Sequence, residues 1–287
     1  NGLINLFRPS DVCIGPDGAI YVADWFDARV GGHGTRDVGQ TGAIYRIAPK
    51  GAQLSIPTFD SNSIAGQIEA LQNPSPNVRE IGRSRLERAG KKAIPAVRQL
   101  LNHSNEFIQG RAIWLLAKLG SGGLKIVESQ LDNQNPKIRV CAFRALRHEN
   151  HRMLEHAGKL AKDSSPLVRR EVALAMRYVP FEKARDTLLE IAKRYDGQDR
   201  YYVEAFGIGC TDKEEKIYSV LKKNMGAKKY DPKYAGLVWR LHTVSAIPEI
   251  KSWALDEKLD NKITRSMLFA LRLLDAPQAA TAMSSLA

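Results

Sequence analysis

The stretch PKIRVCAFRALR at residues 136–147 recurs thirty residues later as PLVRREVALAMR at 166–177. Earlier copies are PNVREIGRSRLE at 76–87 and EFIQGRAIWLLA at 106–117. In every copy the third, seventh and eleventh residues are apolar or small, and residues spaced by four lie on one face of an α-helix. A fixed period near 30 residues, with each unit too short to bury a face alone, is typical of a stacked helical solenoid.

The helical pattern continues from residue 61 to 287 and predicts about seven helical hairpins of HEAT-like type. The first helices are predicted at 62–71, 91–101, 122–131, 151–161, 182–195, 213–223 and 247–256. The second helices are predicted at 76–89, 105–119, 136–147, 166–178, 199–208, 231–242 and 261–274, with a last helix near Pro277. The predicted fold class is therefore mainly α, a right-handed α-α superhelix with a small N-terminal β-meander in a separate domain, residues 1–60.

Recurring prolines and arginines mark the second helices. Pro76, Pro136 and Pro166 occupy one repeat position, where proline fits the first turn of a helix without losing a hydrogen bond. Asn105 and Asp231 are predicted to cap their helices. Arg79, Arg139 and Arg169 follow the first apolar position of three second helices, and we expect them to brace the repeats through turn carbonyls or acidic turn residues.

Residues 8–47 show strand alternation and turn residues. Apolar runs at 11–14 and 19–23 flank GPDG at 15–18, a strong hairpin signal, and a third run follows at 43–47. The pattern predicts three short strands.

The same segment carries a family resemblance. PSDV at 9–12, GPDG at 15–18, YVADW at 21–25, GGHG at 31–34 and GAIYRI at 42–47 closely resemble the last propeller blade of the PVC-type membrane-bound dehydrogenases, relatives of quinone-dependent sugar and sorbosone dehydrogenases. The resemblance implies an extracytoplasmic parent oxidoreductase with a quinone cofactor and a c-type haem. The chain begins at Asn1 with neither Met nor a signal peptide and has no Cys-x-x-Cys-His, so we expect a non-catalytic segment of a longer protein.

Between the second and third strands lies a loop rich in Asp, Gly and Arg. Asp24, Asp27, His33 and Asp37 could gather around a cation or a sugar hydroxyl. Alternatively, the aspartates cap turns and His33 bonds to loop carbonyls.

The net charge of +12 is uneven, because residues 1–60 sum to −1 and residues 61–287 to +13. Side chains off the apolar stripe form a candidate interaction surface: Arg111, Trp114, Lys118, Arg144, Arg147, Arg170 and Arg177. A scaffold that binds a protein, or neighbouring domains of the same polypeptide, is the leading hypothesis. A basic solenoid that binds nucleic acid or another anionic polymer is the alternative, and a bilin-type chromophore lyase is a third possibility.

No catalytic motif and no metal site are predicted. His148, His151 and His156 only half fit a helical metal-ligand spacing. The three cysteines lie far apart and are expected to be buried free thiols. No apolar run is long enough to span a membrane.

Overall fold

The computed structural model describes residues 7–25, 42–226, 229–274 and 276–285. Two compact units make up the chain, Asn1–Val127 and Glu128–Ala287. The first holds a β-meander, four complete α-helices and most of a fifth. The predicted domain boundary at residue 60 lies between the last strand, which ends at Ile47, and the first helix, which begins at Ile64.

The predicted meander is present as an antiparallel sheet in the order β1-β2-β3. Its strands are Pro9–Ile14 (β1), Ile20–Asp24 (β2) and Ala43–Ile47 (β3). Gly18 has φ of 82°, a left-handed conformation that glycine adopts without strain, and it closes the turn between β1 and β2. Asp17 in this turn accepts from the Arg46 guanidinium at 2.8 Å, which ties β3 to the hairpin.

Helices occupy most of the remaining chain. They are Ile64–Gln72 (α1), Pro76–Ala89 (α2), Ile94–Gln99 (α3), Glu106–Lys118 (α4), Ser121–Ser129 (α5), Pro136–His148 (α6), Met153–Leu160 (α7), Pro166–Ala175 (α8), Phe181–Lys193 (α9), Arg200–Gly209 (α10), Glu214–Met225 (α11), Pro232–Leu241 (α12), Ile247–Ala254 (α13), Asn261–Arg272 (α14) and Pro277–Ser284 (α15). None of the described helices is long and apolar enough to cross a membrane.

Alternate helices stack on one another within each unit. In the second unit α6, α8, α10 and α12 pack in succession, and so do α7, α9 and α11. In the first unit α2 contacts α4 and α1 contacts α3. This two-layer stack of hairpins confirms the predicted mainly α, HEAT-like fold class.

The predicted apolar stripe forms the core between the helices. Its members in the four copies are Val78, Gly82, Leu86, Ile108, Ala112, Leu116, Ile138, Ala142, Leu146, Val168, Val172 and Met176, and all are buried. A Cβ on Gly82 would lie 2.7 Å from the carbonyl oxygen of Gln67 and 2.8 Å from the amide nitrogen of Leu71. The small middle residue thus lets α1 and α2 approach closely.

The predicted helix starts are also confirmed. Pro76, Pro136 and Pro166 each occupy the first turn of a second helix. Asn105 accepts from the backbone N–H of Phe107, and Asp231 accepts from that of Lys233. These side chains satisfy amide groups that the first turn of a helix leaves without an intrahelical partner.

The recurring arginines brace the turns, as predicted. Arg79, Arg139 and Arg169 each donate through Nη1 to the carbonyl oxygen six residues earlier. Arg139 also forms a two-pronged ion pair with Asp163, at 2.6 and 2.8 Å, in the turn before α8. Arg169 instead donates to the Tyr202 hydroxyl at 3.0 Å. The three arginines therefore make structural contacts within the chain.

Candidate interaction surface

The predicted loop site falls largely outside the described residues. Asp27, His33 and Asp37 lie there, and only Asp24 is described. The Asp24 carboxylate accepts from the backbone N–H of Arg8 at 2.6 Å, across the β1–β2 pair. This contact gives Asp24 a structural role in the meander.

In the first unit, three candidate residues lie on α4. Arg111 is half-buried and donates to the carbonyl oxygen of Leu71 at 3.2 Å, so it braces α4 against α1. Burial, followed by the nearby Arg79 charge, lowers the pKa of Arg111. Trp114 and Lys118 are exposed, and 39% of the Trp114 surface is accessible. These two residues form a candidate contact for a partner, separate from the candidate residues of the second unit.

In the second unit, Arg144 and Arg147 on α6 meet one carboxylate on α8. Glu171 is only 4% exposed and accepts from Arg144 at 2.6 Å, with Arg147 at 3.4 Å. The hydrogen bond from Arg144 to Glu171 is the main reason that the pKa of Arg144 is raised. Two guanidinium groups against one carboxylate leave a net positive charge at this point.

The remaining two arginines each lie beside an exposed tyrosine. The Arg170 guanidinium is 5.9 Å from the ring centre of Tyr201 on α10, and the Arg177 guanidinium is 5.4 Å from that of Tyr178. Tyr178 is 88% exposed and Tyr201 is 76% exposed. Arg177 also donates to the Thr211 hydroxyl at 3.1 Å, which fixes its position.

We call these groups the arginine–tyrosine face; they lie on α6, on α8 and just after it, and on α10. Its residues are Arg144, Arg147, Arg170, Arg177, Tyr178 and Tyr201. A guanidinium beside an aromatic ring, as in the Arg170–Tyr201 and Arg177–Tyr178 pairs, can bind an anionic group while the ring packs against apolar side chains of the same partner.

Sequence reasoning missed Glu171 and both tyrosines. Glu171 lies 27 residues after Arg144, so no local spacing joins the two. The repeat alignment held a usable signal, because Glu171 occupies the repeat position of Cys141, which directly precedes the apolar stripe residue Ala142. Tyr178 directly follows the candidate Arg177 in the sequence, whereas Tyr201 near the start of α10 meets its candidate arginine, Arg170, only in the folded chain.

The cysteines do not fit a c-type haem. Cys13 is exposed, Cys141 is half-buried and Cys210 is buried, and each is a free thiol. The expected burial of Cys13 is wrong because every residue of β1 is exposed in the described meander.

Comparisons with known proteins add little. No protein-family model and no curated protein matches the sequence. Among solved structures, one engineered protein is 13% identical, covers 77% of this chain and 98% of its own, and has a TM-score of 0.35. A second engineered protein is 14% identical, with 78% and 70% coverage and a TM-score of 0.35. A designed armadillo repeat protein in complex with the peptide (KR)4 is 14% identical, with 74% and 99% coverage and a TM-score of 0.33. Likeness at this level carries no inference about what this chain binds.

Proposed function

We propose that this chain is a non-catalytic scaffold and interaction segment whose arginine–tyrosine face binds an acidic stretch of protein. The observation that supports this best is the sharing of Glu171 by Arg144 and Arg147. About half of the Arg144 side chain, 52%, remains exposed while its inner edge is held by the buried carboxylate. The Arg144 guanidinium is thus held in place before a partner binds, so binding a carboxylate costs less side-chain entropy.

The tyrosines extend this argument. Tyrosine and arginine are enriched at protein interfaces, since both offer a large contact area together with hydrogen-bonding atoms. The face also lies in the basic part of the chain, which carries +13 over residues 61–287. A positive surface attracts acidic partners over distances of about 10 Å at moderate salt.

The resemblance of residues 9–47 supports a finer proposal, that this segment belongs to a larger extracytoplasmic dehydrogenase. In that protein a quinone would accept electrons from a sugar-type substrate, and a c-type haem would pass them on. Both groups would be held by other parts of the polypeptide. The acidic stretch bound by the arginine–tyrosine face would then lie in a neighbouring domain of the same chain or in an electron-accepting protein.

Fluorescence anisotropy with labelled peptides tests the binding proposal. We expect a peptide of eight glutamates to bind and a peptide of eight glutamines not to bind. The triple variant R144Q/R147Q/E171Q removes both arginines without leaving a buried carboxylate unpaired. We expect its affinity for the glutamate peptide to fall about tenfold or more, which corresponds to a loss of about 1.4 kcal/mol or more in binding free energy. R170A/Y201A is expected to weaken binding as well.

The matched control is K183A/R185A on α9, which also removes two exposed positive charges from the same unit but from a first helix. Its affinity should match that of the wild type. The control lowers the net charge by two and R144Q/R147Q/E171Q lowers it by one, so weakening by the control as large as or larger than that by the triple variant would show that net charge alone attracts the peptide. Tighter binding of single-stranded DNA, with log affinity falling steeply with log salt, would favour the nucleic-acid alternative.

The proposal that this segment belongs to a larger dehydrogenase has its own test. The coding sequence on both sides of this segment should contain further propeller blades upstream and a Cys-x-x-Cys-His downstream. A reading frame without either would contradict the dehydrogenase proposal and leave the binding proposal intact.

A further inference from the structure

Three metal-ligating side chains converge in the second unit. Glu128 lies near the end of α5, His151 in the turn after α6 and His156 in α7. One ligand atom from each lies within 4.8 Å of the other two. Glu128 Oε1 is 3.1 Å from His151 Nε2 and 3.2 Å from His156 Nε2.

These separations are those of a small metal site. A tetrahedral Zn²⁺ ion with bonds of about 2.0 to 2.2 Å spaces its ligand atoms by roughly 3.4 Å. The two separations from Glu128 are close to that value, and the nitrogen atoms of His151 and His156 lie within 4.8 Å of each other. Two imidazole nitrogens and one carboxylate oxygen are ligands that Zn²⁺ accepts readily.

His156 supplies a second, independent observation. The residue is only 6% exposed, and its Nε2 atom is buried with no hydrogen-bond partner among the described residues. Glu128 Oε1 is near enough for an ion pair, but the angles are not those of a hydrogen bond. Buried nitrogen atoms of this kind are rare and costly, and a metal ion would satisfy this one.

The surroundings of the His156 ring shift its pKa. Burial is the main influence on its pKa and lowers it, and the charges of Arg152 and His151 act in the same direction. Glu128 and Glu155 act in the opposite direction without reversing the shift.

Arg152 is the competing partner of Glu128. Its Nη1 donates to Glu128 Oε1 at 2.9 Å, and its Nε donates to Glu155 Oε2, also at 2.9 Å. A second contact joins Arg152 Nη2 to Glu155 Oε1. Because Glu155 binds the guanidinium through both Nε and Nη2, Glu128 can turn to an ion without leaving Arg152 unpaired.

We propose that Glu128, His151 and His156 form a binding site for a divalent transition-metal ion, with Zn²⁺ as the best match. Three protein ligands would leave the fourth position of a tetrahedral ion for water, and the His151 side chain is 28% exposed. The ion would join the end of α5 to the turn before α7 and to α7 itself.

Isothermal titration calorimetry with ZnCl₂ tests the site on EDTA-treated protein that carries no histidine tag. We expect one ion per chain. H151Q and E128Q should each weaken binding at least about tenfold, because each removes one of three ligands. The control H148Q alters a neighbouring histidine outside the cluster and should bind as the wild type does. At a hundredfold excess over Kd, Zn²⁺ should raise Tm by roughly 5 to 10 °C in the wild type and in H148Q.

Two results would overturn the proposal. One is the absence of saturable Zn²⁺ binding by the wild type. The other is H151Q binding with wild-type affinity, and far-UV circular dichroism would confirm that this variant is folded. Should E128Q lose its fold, the partly exposed His151 still decides the question. Co²⁺ gives a separate readout, since ligation by this cluster should produce the intense visible absorption of a four-coordinate ion, and the weak spectrum of a six-coordinate ion would count against it.

Discussion

Arg139 joins two repeats through one side chain. Its Nη1 donates to the carbonyl oxygens of Asn133 and Gln134, and its other nitrogens bind the Asp163 carboxylate. Arg139 and Asp163 are both largely buried, with 11% and 9% of their side chains exposed. A planar guanidinium makes these bonds together, whereas a lysine ammonium cannot match the same fork.

We expect Arg139→Lys to lower the free energy of unfolding by about 2 kcal/mol, the usual range for lost hydrogen bonds to charged groups. Urea denaturation followed by circular dichroism measures this change. The control is Arg185→Lys, where an exposed arginine pairs with exposed Asp186 and about 0.5 kcal/mol or less should be lost. A loss at Arg139 no larger than that at Arg185 would contradict the bracing role.

The sequence predicted part of this contact. The position of Arg139 follows from the repeat. Its local carbonyl partners follow as well, because they lie five and six residues earlier in the same repeat. Its long-range partner does not, since Arg169 at the same position binds Tyr202 where Arg139 binds Asp163. Likewise, the cluster of Glu128, His151 and His156 was not predicted, because Glu128 lies 23 residues before His151, near the end of α5.

At the scale of elements, the starts of the second helices were predictable where a proline or a cap marks them, whereas the first helices were placed less well. The predicted helix 91–101 is α-helical only from Ile94, because Pro95 lacks an N–H and fits only the first turn. The predicted helix 151–161 begins at Met153, since Arg152 has a left-handed φ of 45°. Such a conformation depends on packing around the turn, which the apolar pattern does not record.

Close approach of α1 and α2 depends on Gly82. An alanine Cβ there would press on the backbone of Gln67 and Leu71, at distances that atoms in folded proteins do not reach. We expect Gly82→Ala to destabilise the first unit by about 1 to 3 kcal/mol, the typical cost of overpacking a core.

Gly158 in α7 provides a matched control, because nothing lies within 4 Å of the Cβ that an alanine would add. There alanine should stabilise by about 0.5 to 1 kcal/mol, since glycine in a helix costs chain entropy. Urea midpoints of the two variants against the wild type decide the matter. A Gly82→Ala protein as stable as Gly158→Ala would contradict the close contact.

At the scale of the whole molecule, the three cysteines report on both compact units. Cys13 lies in β1 of the first unit and is exposed, Cys141 is half-buried in α6, and Cys210 is buried at the end of α10. Burial is the main reason that the pKa of Cys210 is raised far above its usual value. Only the thiolate attacks disulfide reagents, so burial slows this residue twice, through access and through protonation.

We therefore expect Ellman's reagent to modify one thiol rapidly at pH 8, a second more slowly, and the third only when urea unfolds the second unit. Cys13→Ser should remove the rapid phase, and Cys210→Ser should remove the thiol that appears with unfolding. The labelling of Cys210 then measures the unfolding of the second unit separately from that of the first unit. Rapid labelling of Cys210 in native protein would mean that α10 opens easily, and the stack of α8, α10 and α12 could not then hold the arginine–tyrosine face in a fixed shape.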